Sequence, residues 1–327
     1  MGKILYITAP EADFQSSLIY KGLCNVLGVE NVVDFPLKKS YHGETERYSL
    51  KPIYGTDEEG VTAPFEWFIA EPYHNWTVDE IGNNAEVFDF VILESVRKLT
   101  GEVYEMLCAN YPKINSLPMA IIDGEDYGGV VTEFKEKNNC IAYFKRELTV
   151  LEKNVYPFPF STPVPQYYGR DWTEKKDNEE LNGMNVLCSF NKTHPQRDVF
   201  KNAMDGSSHT LIRKGLCYAD YLSALSKARI ALSVRGWGWD TLRRWEIASF
   251  KTLLFTDQLG IIDPNPYRDR VHCVYVTPDD VVEKGRYYLD HPEEAMTIAK
   301  AGQAHTLEYH TPEKRVKDML KILVEKS

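Results

Sequence analysis

The feature that most restricts how this chain can fold is a series of short, unbroken apolar runs, each followed by a stretch with helical spacing. KILYIT (3–8), NVVDF (31–35), DFVILE (89–94) and PMAIID (118–123) do not alternate apolar with polar residues. A strand with one wet face alternates, whereas a strand covered on both faces is apolar throughout, so these runs predict a parallel sheet between helical layers. The helix between the first two runs lies within 14–27, with apolar residues at 14, 18, 19, 23, 26 and 27, and Gly28 is placed to end it. EVYEMLCANY (102–111) is the helix between the last two, and CIAYF (140–144) is a fifth strand. Residues 36–88 carry many Tyr, Gly and His residues with little periodicity and read as an irregular insertion.

The pattern stops at 156–183, where prolines at 157, 159, 163 and 165 precede a charged polar stretch, and then restarts. Strands are expected at 185–190, 209–212, 229–234, 252–256 and 272–276, with helices at 195–204, 218–228 and 241–250 and helical patterns through most of 278–325. The expected architecture is therefore α/β, with two Rossmann-like domains facing a cleft and terminal helices. The first domain spans 1–165, a linker 166–183, and the second domain with the terminal helices 184–327. A length of 327 residues suits two domains. Open parallel sheets bind ligands at the carboxyl ends of their strands, so a cleft ligand is expected from the architecture alone.

Composition narrows the partners. A formal net charge of −10 argues against a polyanion such as DNA, because each phosphate contact needs a cation. Six cysteines are scattered through apolar runs without a CxxC pair, which reads as free thiols in a reducing compartment. MGKILYITAP is a strand-length run rather than a signal peptide, and no run reaches membrane-spanning length. A soluble cytoplasmic protein without membrane insertion is expected. The eight histidines show no HExxH or HxH spacing; His291, His305 and His310 read as surface or packing residues, and no metal site is expected.

Three strand–helix turns in the second half carry cations. RGWGWDTLRRWE (235–246) follows an apolar strand, and Gly236 and Gly238 allow backbone amides to approach an anion closely. There an anion is expected on the Gly236–Trp239 amides, among Arg235, Trp237 and Trp239. Asp240 suits the helix N-cap. Arg243 and Glu246 share one helical face: Glu246 can accept two ribose hydroxyls, and Arg243 can neutralise a diphosphate or pair with Glu246. SFNKTHPQR (189–197) brings Asn191, Lys192 and Arg197 around Pro195, a good first helical residue, and LIRKGL (211–216) adds Arg213 and Lys214. In the first half, IIDGEDYGG (121–129) clusters Asp123, Glu125 and Asp126, which can bind sugar hydroxyls or a cation, or form a structural turn. FKREL (144–148) is a basic counterpart able to pair with those acids. Asp13 is a candidate general base or a helix cap. GxGxxG and P-loop spacings are absent.

The stretch YLSALSKARIALSVRGWGWDTLRRWEIASFKTLLFTD (221–257) resembles the C-terminal signature of GT-B glycosyltransferases. It looks closest to the CgeB/YkvP-type group, with a fainter similarity to exostosin-type enzymes. NVLCSFNKTHPQR resembles the opening of that domain. The resemblance implies a nucleoside-diphosphate sugar, expected to be a UDP-sugar, held mainly by the second domain with no cofactor required. It implies a metal-independent transfer to an acceptor hydroxyl on the first domain, with Glu246 on the ribose, Arg243 near the phosphates and the departing diphosphate stabilised by helix dipoles and cations. The acceptor would be a saccharide or glycoconjugate, or a hydroxymethylated DNA base. Two departures count against a retaining mechanism: Gly238 stands where the first acid of a Glu-x7-Glu pair is usual, and Lys251 where the helix usually ends in a small residue. An inverting mechanism would need a first-domain base such as Asp13. A nucleotide-sugar 2-epimerase and a non-enzymatic nucleotide-sugar-binding protein share this build and are the competing readings.

Overall fold

A computed structural model describes residues 2–9, 14–42, 74–137, 139–162, 186–188, 194–205, 207, 210–212 and 218–327. The first sheet contains β1 (Lys3–Ile7), β2 (Val32–Phe35), β3 (Phe88–Leu93), β4 (Met119–Asp123), β5 (Cys140–Lys145) and β6 (Val155–Pro157). All neighbours are parallel, in the order β2-β1-β3-β4-β5-β6. Its helices are α1 (Phe14–Leu27), α2 (Val78–Asn83), α3 (Lys98–Asn110) and α4 (Thr132–Lys135). The second sheet contains β7 (Val186–Cys188), β8 (Thr210–Ile212), β9 (Ile230–Ser233), β10 (Leu253–Thr256) and β11 (Val274–Tyr275), parallel and ordered β11-β10-β9-β7-β8. Its helices are α5 (Pro195–Met204), α6 (Tyr218–Lys227), α7 (Leu242–Ser249), α8 (Val281–Asp290) and α9 (Pro292–Tyr309). A last helix, α10 (Pro312–Lys326), follows.

The continuous apolar runs do what their composition requires, with successive residues entering opposite faces. Ile4 and Tyr6 join one core with Ile19, Tyr20 and Leu23 of α1, while Leu5 and Ile7 join another with Tyr104 and Leu107 of α3. In the second sheet Ile230 and Leu232 pack with Phe200 and Ile298, and Ala231 packs with Leu225 and Trp245 on the other side.

Two features depart from the sequence expectation. The proline-rich segment begins as an edge strand, β6, with Val155 buried beside Tyr143 and Pro157 tolerated because it lies on the sheet edge. Residues 163–185, which contain the expected linker, lie outside the described residues, as do 43–73 of the insertion, whose remainder includes α2. The chain also returns across the gap at its end. Val316, Met319, Leu320 and Leu323 of α10 enter the core of the first sheet with Ile4, Tyr6 and Leu23, although their position in the chain suggested the second domain. Each such buried side chain contributes about 1.5–3 kcal/mol. Gly22 makes the approach possible, since a Cβ there would sit 2.6 Å from the Pro312 carbonyl oxygen. That contact explains a glycine inside a helix, where it costs about 1 kcal/mol relative to alanine.

Candidate functional site

Strand order locates two crevices. In the first sheet the direction of winding reverses between β1 and β3, and in the second between β7 and β9. At such a reversal the connections leave to opposite sides and open a gap at the strands' carboxyl ends.

The first crevice is closed by its own side chains. Glu94, just after β3, accepts the Ala9 amide at 2.6 Å, the Tyr41 hydroxyl at 2.8 Å and the Lys38 ammonium at 3.2 Å. Beside it, Asp34 takes the Lys38 amide at 2.8 Å and lies 3.0 Å from His42 Nε2. All five side chains are buried. At the end of the neighbouring strand, the three expected acceptor-side acids are also paired. Asp123, fully buried at the end of β4, accepts Lys145 Nζ at 2.9 Å, the Glu125 amide at 3.0 Å and the Tyr143 hydroxyl. Lys145 lies 4.1 Å from the centre of the Tyr127 ring. Burial pushes its ammonium pKa down, and the Asp123 charge opposes that shift. Glu125 pairs with Arg97 at 3.1 Å, and Asp126 pairs with Arg146. Of the two roles open for these acids, the geometry matches the structural one, with FKREL supplying the cations. Asp13 lies outside the described residues.

The second crevice is cationic. His194 is the N-cap of α5, with Nδ1 accepting the Gln196 amide at 3.2 Å and Pro195 in the first turn. Burial and the nearby Arg235 and Arg197 charges hold the His194 pKa down, favouring the neutral ring. Arg197 closes the end of β9, donating from Nε to the Arg235 carbonyl at 3.0 Å and from a terminal nitrogen to the Val234 carbonyl at 3.3 Å. The Arg235 guanidinium stacks 3.8 Å from the Trp239 ring, and Arg243 lies 5.6 Å from the Tyr221 ring. The Nε atoms of Arg235 and Arg243 are buried without a hydrogen-bond partner among the described residues. Glu246 is buried on the same helix as Arg243. Asn191, Lys192, Arg213 and Lys214 lie outside the described residues.

Local geometry changes the expected role of the 235–241 turn. Four of its amides are already engaged: Arg235 N donates to Asp257 Oδ2 at 3.1 Å and Gly236 N to the Gly238 carbonyl at 3.0 Å. Trp239 N and Asp240 N donate to the two carboxylate oxygens of Glu147, at 2.9 and 3.0 Å. A carboxylate of the first domain thus occupies two amides of this glycine-rich turn, one of them, Trp239, within the stretch expected to hold an anion. Gly238 faces the same group, and a Cβ there would stand 2.5 Å from Glu147 Oε1 and 2.7 Å from Asp126 Oδ1.

Asp240 is not the helix cap. Thr241 occupies that position, because the Asp240 carboxylate is held by the Phe160 amide at 2.5 Å and the Trp245 indole at 2.8 Å. Arg146 donates to the Asp240 carbonyl at 3.1 Å. Burial pushes both the Glu147 and Asp240 pKa values up, while Arg146 opposes each shift. Trp245 stacks on His310 at 4.1 Å, and Arg315 binds the Pro159 and Phe160 carbonyls at 3.0 and 3.2 Å. One hydrogen-bonded block therefore joins both domains, the segment leading into the linker and the returning helix.

The three tryptophans of the turn separate cleanly. Trp245 is core, Trp239 is half-buried under Arg235 and against Gly260, and Trp237 is 68% exposed at the tip. Glu147 is the important residue that sequence reasoning missed. Its one local signal is a Lys-Arg-Glu triplet directly after an apolar strand, which reads as net basic and hides the acid. Among the described residues no group of three or more His, Cys, Asp or Glu side chains is placed to hold a metal ion, and no helix is long and apolar enough to cross a membrane.

Comparison with known proteins follows the same division. No curated protein sequence matches the chain. A glycosyltransferase from Rickettsia africae superimposes with a TM-score of 0.61 at 11% identity, covering 99% of this chain and 98% of that one. HepE of Anabaena, solved with UDP and glucose, gives a TM-score of 0.61 at 8% identity, covering 99% and 100%. Sucrose-phosphate synthase from Thermosynechococcus elongatus gives 0.55 at 10% identity, with 99% of each chain covered. The expected GT-B architecture is thereby borne out. Residues 168–321, which include the cationic crevice, match the glycosyl transferase-like family model, and the two-domain fold is shared with glycosyltransferases.

Proposed function

We propose that the chain transfers a sugar from a nucleoside-diphosphate sugar to an acceptor hydroxyl, with the donor at the β7–β9 crevice. The observation that carries this reading is the contrast in charge between the crevices. The acids described at the carboxyl ends of the first sheet have cationic or hydrogen-bonding partners, whereas Arg235 and Arg243 each keep a buried Nε without a partner among the described residues. A diphosphate supplies the missing acceptors, and charge-assisted bonds to guanidinium are the strong class of hydrogen bond. Glu246 fits the ribose hydroxyls, and Trp237 or Trp239 the border of the donor. Lys192, Arg213 and Lys214 add cations, and Asn191 a neutral amide, to the set in this reading. The chemistry needs positive charge where the leaving diphosphate develops negative charge, and the guanidinium groups would supply it without a metal.

Within this reading the donor is a UDP-sugar, in keeping with HepE, which was solved with UDP-glucose. The acceptor is a saccharide or glycoconjugate, Asp13 is the candidate base for an inverting reaction, and the CgeB/YkvP-type group is the expected subfamily. Titration calorimetry with UDP and UDP-glucose, repeated on Glu246→Ala, tests the proposal. Saturable binding by the native chain that weakens in the variant supports it; no binding of any nucleoside diphosphate or nucleotide sugar would sink it. Product formation that survives a chelator checks the metal-free chemistry.

A further inference from the structure

We infer that Glu147 is a positioning residue for the donor turn: its carboxylate, from the first domain, holds the second half of the 235–240 turn in place. The turn is anchored at two points of different origin. Its first amide, Arg235 N, is fixed by Asp257, which follows β10 of the same sheet. Its last two, Trp239 N and Asp240 N, are fixed by Glu147 across the domain gap. Between these anchors the turn closes on itself through Gly236 N and the Gly238 carbonyl. The groups it carries are the Arg235–Trp239 stack and the exposed Trp237.

Burial makes the arrangement costly to abandon. Glu147 is 1% exposed and Asp240 2%, so a carboxylate withdrawn from its two amides would lose its hydrogen bonds without gaining water. Arg146 completes the clip: it binds Asp126 and the Asp240 carbonyl and lies 3.7 Å from Glu147 and 4.4 Å from the Phe160 ring. Gly238 is the matching half of the device, because any side chain there would meet the Glu147 carboxylate. A neighbouring main-chain bond, Ile262 N to the Leu148 carbonyl at 2.7 Å, ties a second loop of the second domain to the same segment. The second half of the donor turn is thus held by the first domain, so a ligand of the turn is expected to bind more weakly when the clip is lost. This functional consequence rests on the donor reading above; the clip itself does not.

Hydrogen–deuterium exchange of the full chain tests the clip without any ligand. Glu147→Ala should speed exchange of the Trp239 and Asp240 amides by about tenfold or more, since a bond to a charged acceptor is lost. Gly238→Ala should do the same by displacing the carboxylate, and the double variant should be no worse than the worse single one. Glu147→Gln, which keeps volume and one acceptor oxygen, serves if the alanine variant misfolds by circular dichroism, and should release one of the two amides. Unchanged protection, or additive effects of the two alanine substitutions, overturns the inference. UDP titration of the same proteins reads the consequence, expected as about tenfold weaker binding in the variants. Unchanged UDP affinity in a variant whose turn exchanges faster overturns the positioning role. Absence of UDP binding by the native chain would instead overturn the donor reading while leaving the exchange result in force.

Discussion

The two sheets place similar strand-end turns toward the same gap, yet treat charge in opposite ways. At the ends of β3 and β4 four acids each have a cation of their own domain: Glu94 with Lys38, Asp123 with Lys145, Glu125 with Arg97 and Asp126 with Arg146. At the ends of β7, β9 and β10 cations gather, and a nearby acid, Asp257, is occupied by the Arg235 amide and Gln196. Matched, buried charges hold a fold together and have little left to offer a ligand. Cations gathered against each other persist where an anion completes them. The comparison predicts that removing a cation costs stability on the first side and ligand affinity on the second.

The largest effect is expected on the first side. Lys145→Ala leaves Asp123 buried with no cation, and breaking such a pair costs about 3–5 kcal/mol. Urea unfolding should show that loss; a protein that keeps its stability breaks the comparison on its structural side. Next comes Arg235→Ala, expected to weaken nucleoside-diphosphate binding by about 1.5–3 kcal/mol, roughly tenfold to a hundredfold, with the melting temperature nearly unchanged. A variant that melts early but binds normally would reverse the assignment.

Burial of two imidazoles on the second side also sets a pH dependence. Burial, with Arg315 and His305 adding to it, holds the His310 pKa well below its ordinary value; burial, then His305 and Arg268, brings that of His272 to about 4. Both rings are therefore depressed relative to the unfolded chain. Their contribution to stability is complete above about pH 6.5 and is lost as pH falls from there toward the folded values. His310→Gln can keep the bonds to Asn265 and Arg315 while removing one titration. The gap in melting temperature between native protein and variant should therefore narrow or reverse between pH 7 and pH 5, and a gap independent of pH would contradict the assignment.

The smallest effect sharpens the geometry beside the turn. Lys251 holds φ at 56° directly after α7, the left-handed conformation in which a side chain costs about 1 kcal/mol. Lys251→Gly should raise stability by about 0.5–1 kcal/mol, offset by greater freedom of the unfolded chain, and leave donor affinity unchanged. A small residue at this position would thus have a backbone reason.

Much of the architecture is legible in the amino-acid sequence. α1 runs over Phe14–Leu27 and α5 over Pro195–Met204, the spans their periodicity predicts, and β1 to β5 fall on the apolar runs. These are local properties: a run of side chains that must all leave water selects its own secondary structure. The proline-rich segment misleads because its first residues, Pro157 included, pair with β5 at a sheet edge, and α10 misleads because helical spacing does not say which core a helix will enter. At the candidate site, residue types are legible and partners are not. RGWGWD is recognisable as an anion-binding turn, but the anion it holds is Glu147, 92 residues from Trp239 and 93 from Asp240. The acids of IIDGED are visible, and so are the cations of FKREL, but only the parallel register of β4 and β5 seats Asp123 beside Lys145.

By itself the sequence determined two parallel α/β units, their winding, and a glycine-rich cationic turn at a strand end of the second, because each depends on burial pattern and local backbone freedom. Only the tertiary structure decided which charges are already matched, that α10 returns to the first core, and that Glu147 holds the 235–240 turn. Those outcomes depend on which groups meet after folding, and a charge cannot reveal its partner until both have been drawn out of water.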